Sequence, residues 1–397
     1  MVKKKNNIPA LRYSGFEEEW SLKRIGDIGE IITGNTPPTE NEEFYNGDYL
    51  FVSPYDINET RFLKKTKTTV TKHGFLKGRR IRQGSILFVC IGSTIGKIAQ
   101  NSYECITNQQ INSIIPINNN DDFIYSLLEK HSLKIKMLAA EQAVPIINKT
   151  TFSNYTLNLP SLPEQQKIAS FLTAVDERIQ QLTRKKKLLE KYKKGVMQKI
   201  FSREIRFKDD KGKDFPDWEV KFAKDIFKNH TNKNHNGDLP ILAATQDKGV
   251  VYRDSIDIKI QSSQESINTY KIVEVGDFVI SLRSFQGGIE YSKVYGICSP
   301  AYTVLKPKIE ISNEFFRYYF KRESFIQQLS STVIGIRDGK QISYEPFSGL
   351  KLLFPTVKEQ EKIGSFITAF ENKIELVNTQ LQKTQAWKKG LLQKMFV

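Results

Sequence analysis

Apolar positions between residues 160 and 201 recur on a 4-then-3 spacing: Ile168, Leu172, Val175, Ile179, Leu182, Leu189, Val196 and Ile200. That spacing is the stripe of a coiled-coil seam and predicts one long helix. Lys186 and Lys193 interrupt it at two core-type positions. The stripe returns as Ile363, Ile367, Phe370, Ile374, Val377, Leu381, Leu391 and Met395, interrupted at Thr384 and Lys388. Pro163 and Pro355 stand at the two predicted helix entrances, where the missing N–H costs nothing. The segments are copies. EQQKIASFLTAVDERI (Glu164–Ile179) aligns with EQEKIGSFITAFENKI (Glu359–Ile374), 195 residues on, and KKG at Lys193–Gly195 aligns with Lys388–Gly390. QKIF ending at Phe201 recurs as QKMF ending at Phe396, still without a gap. Chance does not hold one register that long, so the chain contains an internal duplication. Such a stripe could also seat a helix on its own domain. Two matched stripes of equal length favour pairing of the helices with each other.

A different texture precedes each helix. SILFVCI after Gly84 and DFVISL after Gly276 read as a turn followed by a strand. DDFIYSLLEK and NEFFRYYFKRE are amphipathic and predicted helical, and DFPDWEVKFAKDIF (Asp214–Phe227) echoes GFEEEWSLKRIGDI (Gly15–Ile28). The expected class is α+β: a first globular domain over residues 1–158, a long helix over 159–205, a second globular domain over 206–353 and a second long helix over 354–397. The helices are expected to run antiparallel as a coiled coil, relating the halves by a pseudo-two-fold. Between the helices the two globular sequences diverge strongly. A scaffold that stays alike while its cargo diverges suits two different readers on one frame.

Composition narrows the partners. Of 397 residues, 39% are hydrophobic and 26% charged, and the formal charge is +16. No apolar run approaches the roughly 18–20 residues that span a bilayer. MVKKKNNIPA has a basic start but no apolar stretch behind it, so a signal peptide is not expected. Cys90, Cys105 and Cys298 are scattered in apolar, strand-like surroundings, as small buried hydrophobes in a reducing cytoplasm would be. The positive excess points to an acidic partner, with nucleic acid first.

Catalytic patterns are missing. GSTIGK (Gly92–Lys97) has three residues between its glycines where a phosphate-binding loop needs four, and Ile98 follows the lysine instead of Ser or Thr. It reads as a turn with an outward lysine. His230 and His235 share a loop without cysteine or carboxylate at ligand spacing, so no metal site is expected. No G-x-S-x-G elbow occurs, nor the Asn/Asp-Pro-Pro-Tyr loop of amino-methyltransferases. DGK (Asp338–Lys340) and ENK (Glu371–Lys373) fit a nuclease fragment too common to carry weight, and the second lies in the helix repeat.

The positive signal is electrostatic. Arg61 to Gln100 contains no acidic residue, against Arg61, Lys64, Lys65, Lys67, Lys72, Lys77, Arg79, Arg80, Arg82 and Lys97, with threonines interleaved. Such a surface suits phosphate contacts along a duplex, although a solvated basic loop would look the same. In the second domain the candidates are SLRSFQGG (Arg283, Gln286) and GIRDGKQ (Arg337, Lys340), where Arg and Gln on Gly-flanked loops can approach base edges.

This organisation resembles the specificity (S) subunit of type I restriction–modification systems over essentially the whole chain. The resemblance is carried by LPSLPEQQKIASFLTAVDERI and LFPTVKEQEKIGSFITAFENKI, and by RQGSILFVCIGSTIGK and EVGDFVISLRS inside the two globular parts. It implies that the globular parts are target-recognition domains, each reading half of a split double-stranded DNA target. It also implies a non-catalytic chain without a cofactor of its own. Two modification subunits would bind S-adenosylmethionine and methylate adenine, and restriction subunits would use ATP and Mg²⁺. Two rivals remain at this level: a methyltransferase or nuclease with an unrecognised centre, and a free-standing DNA-binding regulator with a helical spacer.

Overall fold

A computed structural model of the chain describes residues 7–58, 60–139, 144–256, 264–332 and 342–397. The architecture is α+β. Internal contacts divide it into two compact units, residues 1–186 with 377–397, and residues 187–376. Both long helices are present, as Leu162–Phe201 and Val357–Met395.

In the first unit a five-stranded sheet runs in the order Gly29–Thr33, Ile111–Pro116, Ile86–Val89, Ile98–Asn101, Phe62–Leu63. A four-stranded sheet (Thr68–Val70, Tyr45–Val52, Cys105–Thr107, Arg80–Ile81) flanks it, and Ser21–Arg24 pairs antiparallel with Thr156–Leu159. Every residue of Ile86–Val89 is buried, so this strand reads as an unbroken apolar run. Gly84 turns the chain into it at φ +83, a conformation costly for residues with a Cβ, and Gly276 does the same at φ +99 ahead of Phe278–Ile280. The second unit repeats the central sheet as Phe227–His230, Thr303–Pro307, Phe278–Ile280, Glu290–Tyr291, and repeats the outer pair as Glu219–Phe222 with Lys351–Phe354. Its flank differs: a hairpin, Leu242–Thr245 with Gly249–Tyr252, and a second antiparallel pair, Lys271–Val273 with Gly296–Cys298, stand where the first unit has one four-stranded sheet. The frame is shared and the flanks are not.

The apolar stripe has two jobs within each unit. Ile168, Leu172 and Val175 lie in one buried cluster with Leu391, Leu392, Met395 and Phe396 of the other helix, and also with Trp20, Ile25 and Phe123 of the globular part. Ile363 and Ile367 likewise join Ile200 and Phe201 in the cluster of Trp218 and Phe315. The stripe is therefore shared between helix pairing and domain packing. Ile179 is partly buried, Leu182, Val377 and Leu381 are buried, and Leu189, Phe370 and Ile374 are half-buried. Contacts in the first unit place Lys186 against Asn378 and Asp176 against Lys388, and in the second Lys193 against Glu371. Rising numbers on one helix meet falling numbers on the other, so the segments run antiparallel in each unit. The lysines that interrupted the stripe are thus polar contacts between the helices.

Each helix entrance is locked by the same side chains. Glu164 is 1% exposed and takes a two-pronged hydrogen bond from the Arg12 guanidinium, 2.8 Å at both oxygens. Next to it Gln165 accepts from the Asn120 N–H at 3.0 Å and donates to the Pro160 carbonyl at 3.1 Å. Glu359 and Gln360 repeat the arrangement with Arg206, the Ser312 N–H and the Pro355 carbonyl. Asn120 and Ser312 in turn cap the helices Asp121–Lys136 and Asn313–Tyr319 through their side-chain oxygens. Each lock therefore ties the long helix to an N-terminal strap and to the domain's own helix. Replacing Glu164 by alanine leaves the Arg12 guanidinium covered and unpaired, and is expected to cost about 3 kcal/mol. A downward shift of the first denaturant transition checks it, and Glu164→Gln should lose less.

Candidate nucleic-acid interface

The basic stretch of the first unit divides by environment. Lys64, Lys65, Lys67, Lys72, Lys77, Arg79, Arg80 and Lys97 are exposed. Lys64, Lys65 and Lys67 precede the strand Thr68–Val70, and Lys72 and Lys77 begin and end the short helix Lys72–Lys77. Arg79 and Arg80 enter the strand Arg80–Ile81, and Lys97 closes the turn after Gly92 between two strands of the five-stranded sheet. Arg79 donates one guanidinium nitrogen to the Thr33 carbonyl at 2.7 Å, which orients its head, and Lys67 lies 5.2 Å over the exposed Tyr55 ring. Tyr55 carries no local sequence signal, yet it is exposed, and an exposed aromatic beside a lysine can stack on a base or sugar. Arg82 is half-exposed but neutralised by two hydrogen bonds to Asp121, 2.7 and 2.8 Å, and donates to the Pro116 carbonyl.

Arg61 requires a correction, because it is not a surface cation. Its side chain is 2% exposed and its guanidinium is fully engaged. It donates to Gln100 at 2.9 Å, Thr173 at 3.0 Å, Asp176 at 3.0 Å and Asp122, and lies 4.5 Å over the Tyr125 ring. Asp176 and Glu129 also hold Lys388 of the second long helix, at 2.6 and 2.5 Å. The local sequence is acid-free, but the fold brings acids to it from other elements. Arg61 is thereby removed from the phosphate-contacting set.

In the second unit Ser284–Gly287 forms one helical turn that presents Arg283 and Gln286 to solvent. The turn is tightly held. The Gly288 φ is +80, and a Cβ there would lie 2.0 Å from the Phe320 carbonyl oxygen. Lys321 ties the turn down by donating to the Gly287 carbonyl and to Glu290. Gln246, in the turn of the Leu242–Tyr252 hairpin, reaches the Arg283 carbonyl at 3.5 Å and adds a second exposed amide beside Gln286. Arg337 and Lys340, and with them the DGK tripeptide, lie outside the described residues. Glu371 of the ENK tripeptide is a structural acid, paired with Lys193 and Arg317 at 2.5 Å each. Burial alone would raise its carboxyl, but hydrogen bonding and charge from Lys193, with the charge of Arg317, hold it below the ordinary 4.5.

Among the described residues no group of three or more His, Cys, Asp and Glu could hold a metal ion. Cys90, Cys105 and Cys298 are buried free thiols whose pKa burial pushes up to about 12, so they are inert as nucleophiles. No described helix is long and apolar enough to cross a membrane. Two units of one architecture, each with exposed cations or amides on its strand connections and with different flanking strands, fit a DNA-reading class of protein.

Comparison with known proteins makes the class specific. The model for the type I restriction modification DNA specificity domain matches residues 17–191 and again 216–385, and the chain belongs to that family. A type I restriction enzyme MjaVIII specificity subunit from Methanocaldococcus jannaschii is 24% identical, with 98% of this chain and 95% of that protein covered. The HindI specificity subunit of Haemophilus influenzae is 34% identical over 148 residues, 36% of this chain and 32% of that protein. In fold, the chain is similar to the S subunit of a type I restriction–modification system from M. genitalium, with TM-score 0.63 and 15% identity over 98% of this chain and 99% of that one.

Replacing Arg79 and Arg80 by alanine should flatten the dependence of log affinity on log salt by about 0.9 for each phosphate left without its cation. Arg61→Ala should instead lower stability and leave the slope unchanged; salt titrations of DNA binding beside thermal melts separate the two. For Glu371 the depressed pKa means that its stabilisation is present above about pH 4.5 and is lost as pH falls through the lower folded value. Glu371→Gln should therefore unfold less steeply in acid than the parent, as a pH series of denaturant midpoints will show.

Proposed function

We propose that this chain is the sequence-specific DNA-recognition subunit of a type I restriction–modification complex. Residues 1–158 and 206–353 act as target-recognition domains, and each reads one half of a bipartite double-stranded target. The long helices over 159–205 and 354–397 set the spacer between the half-sites and dock two methyltransferase subunits. The observation that carries this reading is the contrast between the repeated central sheet, entrance lock and helix in each unit and the dissimilar flanking sheets. The exposed Lys64–Arg80 stretch runs along the flank of the first unit, and Arg283 and Gln286 lie on a central-sheet turn against the Leu242–Tyr252 hairpin in the second. Shared parts bind shared partners; dissimilar parts read dissimilar bases.

The docking role has its own support. Trp387 is half-exposed beside Phe171 in the first unit, and Tyr192, 195 residues earlier, is half-exposed beside Phe370 in the second. An exposed aromatic at the same repeat position on both helix pairs suits two copies of one partner. The chain itself contributes no catalysis and no cofactor. S-adenosylmethionine belongs to the modification subunits, ATP and Mg²⁺ to the restriction subunits, and the complex works on cytoplasmic DNA.

Mapping methylated adenines in cells tests the reading. Exchanging residues 1–158 for those of a relative should change one half of the methylated motif and leave the other intact. A simultaneous change in both halves would overturn independent readers. Inserting four residues near Lys185 adds about 6 Å of helix. It should keep both half-sites and lengthen the spacer by one or two base pairs; an unchanged spacer with full activity would mean that the helices are not the ruler.

A further inference from the structure

The buried charge cluster around Arg61 has a counterpart in the second unit, residue for residue on the long helices. Thr173 and Asp176 of the first helix correspond to Thr368 and Glu371 of the second, and Lys388 corresponds to Lys193, all at the same spacing of 195. In the first unit Asp176 meets Lys388 at 2.6 Å and Arg61 at 3.0 Å, while Thr173 accepts from Arg61 at 3.0 Å. In the second, Glu371 meets Lys193 and Arg317, while Thr368 bonds Glu314 at 3.2 Å and the Tyr318 hydroxyl at 3.1 Å. A tyrosine of the domain's own helix lies under the long-helix lysine in both, Tyr125 under Lys388 and Tyr318 under Lys193. A second acid near the start of that helix, Asp122 or Glu314, binds the arginine in both.

The guanidinium comes from a different place in each, Thr173 meets it where Thr368 meets Glu314 and Tyr318, and Glu129 adds a further carboxylate to Lys388 in the first unit. Arg61 comes from the chain entering the strand Phe62–Leu63, whereas Arg317 stands on the helix Asn313–Tyr319. The two recognition domains have thus reached one arrangement from different positions. Apolar contacts between stripe residues tolerate sliding, because side chains repack. A carboxylate held by two cations within 3 Å does not, because losing either partner leaves a charge with poor solvent access unpaired.

We infer that each cluster is the joint that fixes a recognition domain on its pair of helix segments, and that Asp176, Lys388 and Arg61 in one unit and Glu371, Lys193 and Arg317 in the other are positioning residues for the spacer length of the split target. The inference rests on the bipartite reading above. Arg61 shows how the joint reaches the reader. Its carbonyl accepts from the Gln100 N–H at 2.8 Å, and the exposed basic stretch begins three residues later at Lys64. Loosening the joint shifts that stretch without altering any side chain that would touch DNA.

The test uses the full chain expressed with its methyltransferase subunits, with methylated adenines mapped genome-wide. Lys388→Met keeps the stem and removes the charge. It should preserve both half-site sequences while a spacer one base pair longer or shorter rises from undetectable to about a tenth of methylated sites. Lys388→Arg should restore the single spacer. Ile168→Val, which loosens the same region by packing alone, should lower total methylation at an unchanged spacer. A single spacer in Lys388→Met, or equal broadening in Ile168→Val, would overturn the inference. If Lys388→Met does not fold, Thr173→Val and Thr368→Val each remove hydroxyl contacts at nearly constant shape, and broadening in neither overturns it. A parent motif that is not split would instead sink the bipartite reading itself.

Discussion

A carboxylate and an amide withdrawn from water at the entrance of each long helix hold the domain, the strap before it and the helix after it in one geometry. Glu164 and Gln165, like Glu359 and Gln360, are almost wholly buried, and such groups persist only when every lone pair and proton has a partner. The partners come from three places: an arginine before the domain, a backbone N–H at the start of the domain's helix, and the carbonyl of the proline ahead of the long helix. Neither the sheet nor the helix could shift without stranding a charge. The flanking sheets lie outside this constraint and have become different from each other.

The far end of each helix is constrained by packing instead. Phe396 closes on Trp20 and Phe123, with ring centroids 6.0 and 5.5 Å apart, and Phe201 closes on Phe315 at 5.6 Å beside Trp218. Aromatic side chains of this size dominate core energetics. The repeated QKIF and QKMF endings are therefore core residues of a compact unit, which explains why the duplication extends past the apolar stripe to those phenylalanines. The first unit joins the start of the first long helix to the end of the second, so it is built from two separate stretches of chain, whereas the second unit, residues 187–376, is continuous.

Much of this was legible in the sequence because it depends on short-range order. A 4-then-3 spacing and two aligned copies are enough to require two long helices. Gly84 and Gly276 ahead of apolar runs are enough to require turns into buried strands, and both occur. Membership of the specificity-subunit family follows from the same motifs. The site was less legible. Lys64, Lys65, Lys67, Lys72, Arg79 and Arg80 stay exposed, and among the described residues no acid forms an ion pair with their side chains.

Arg61 and Arg82 look identical to those neighbours in sequence, yet their acids come from residues 115 positions away for Asp176 and 39 for Asp121. The partners of Lys388 lie further still, 259 positions away at Glu129. Periodicity and turn chemistry act between residues close along the chain, so the amino-acid order determined the helices, the strands and the duplication by itself. Charge pairing acts through space, and burial decides whether a cation meets solvent or a carboxylate. Only the tertiary structure could separate the arginines paired with acids inside the fold from the cations left exposed to solvent.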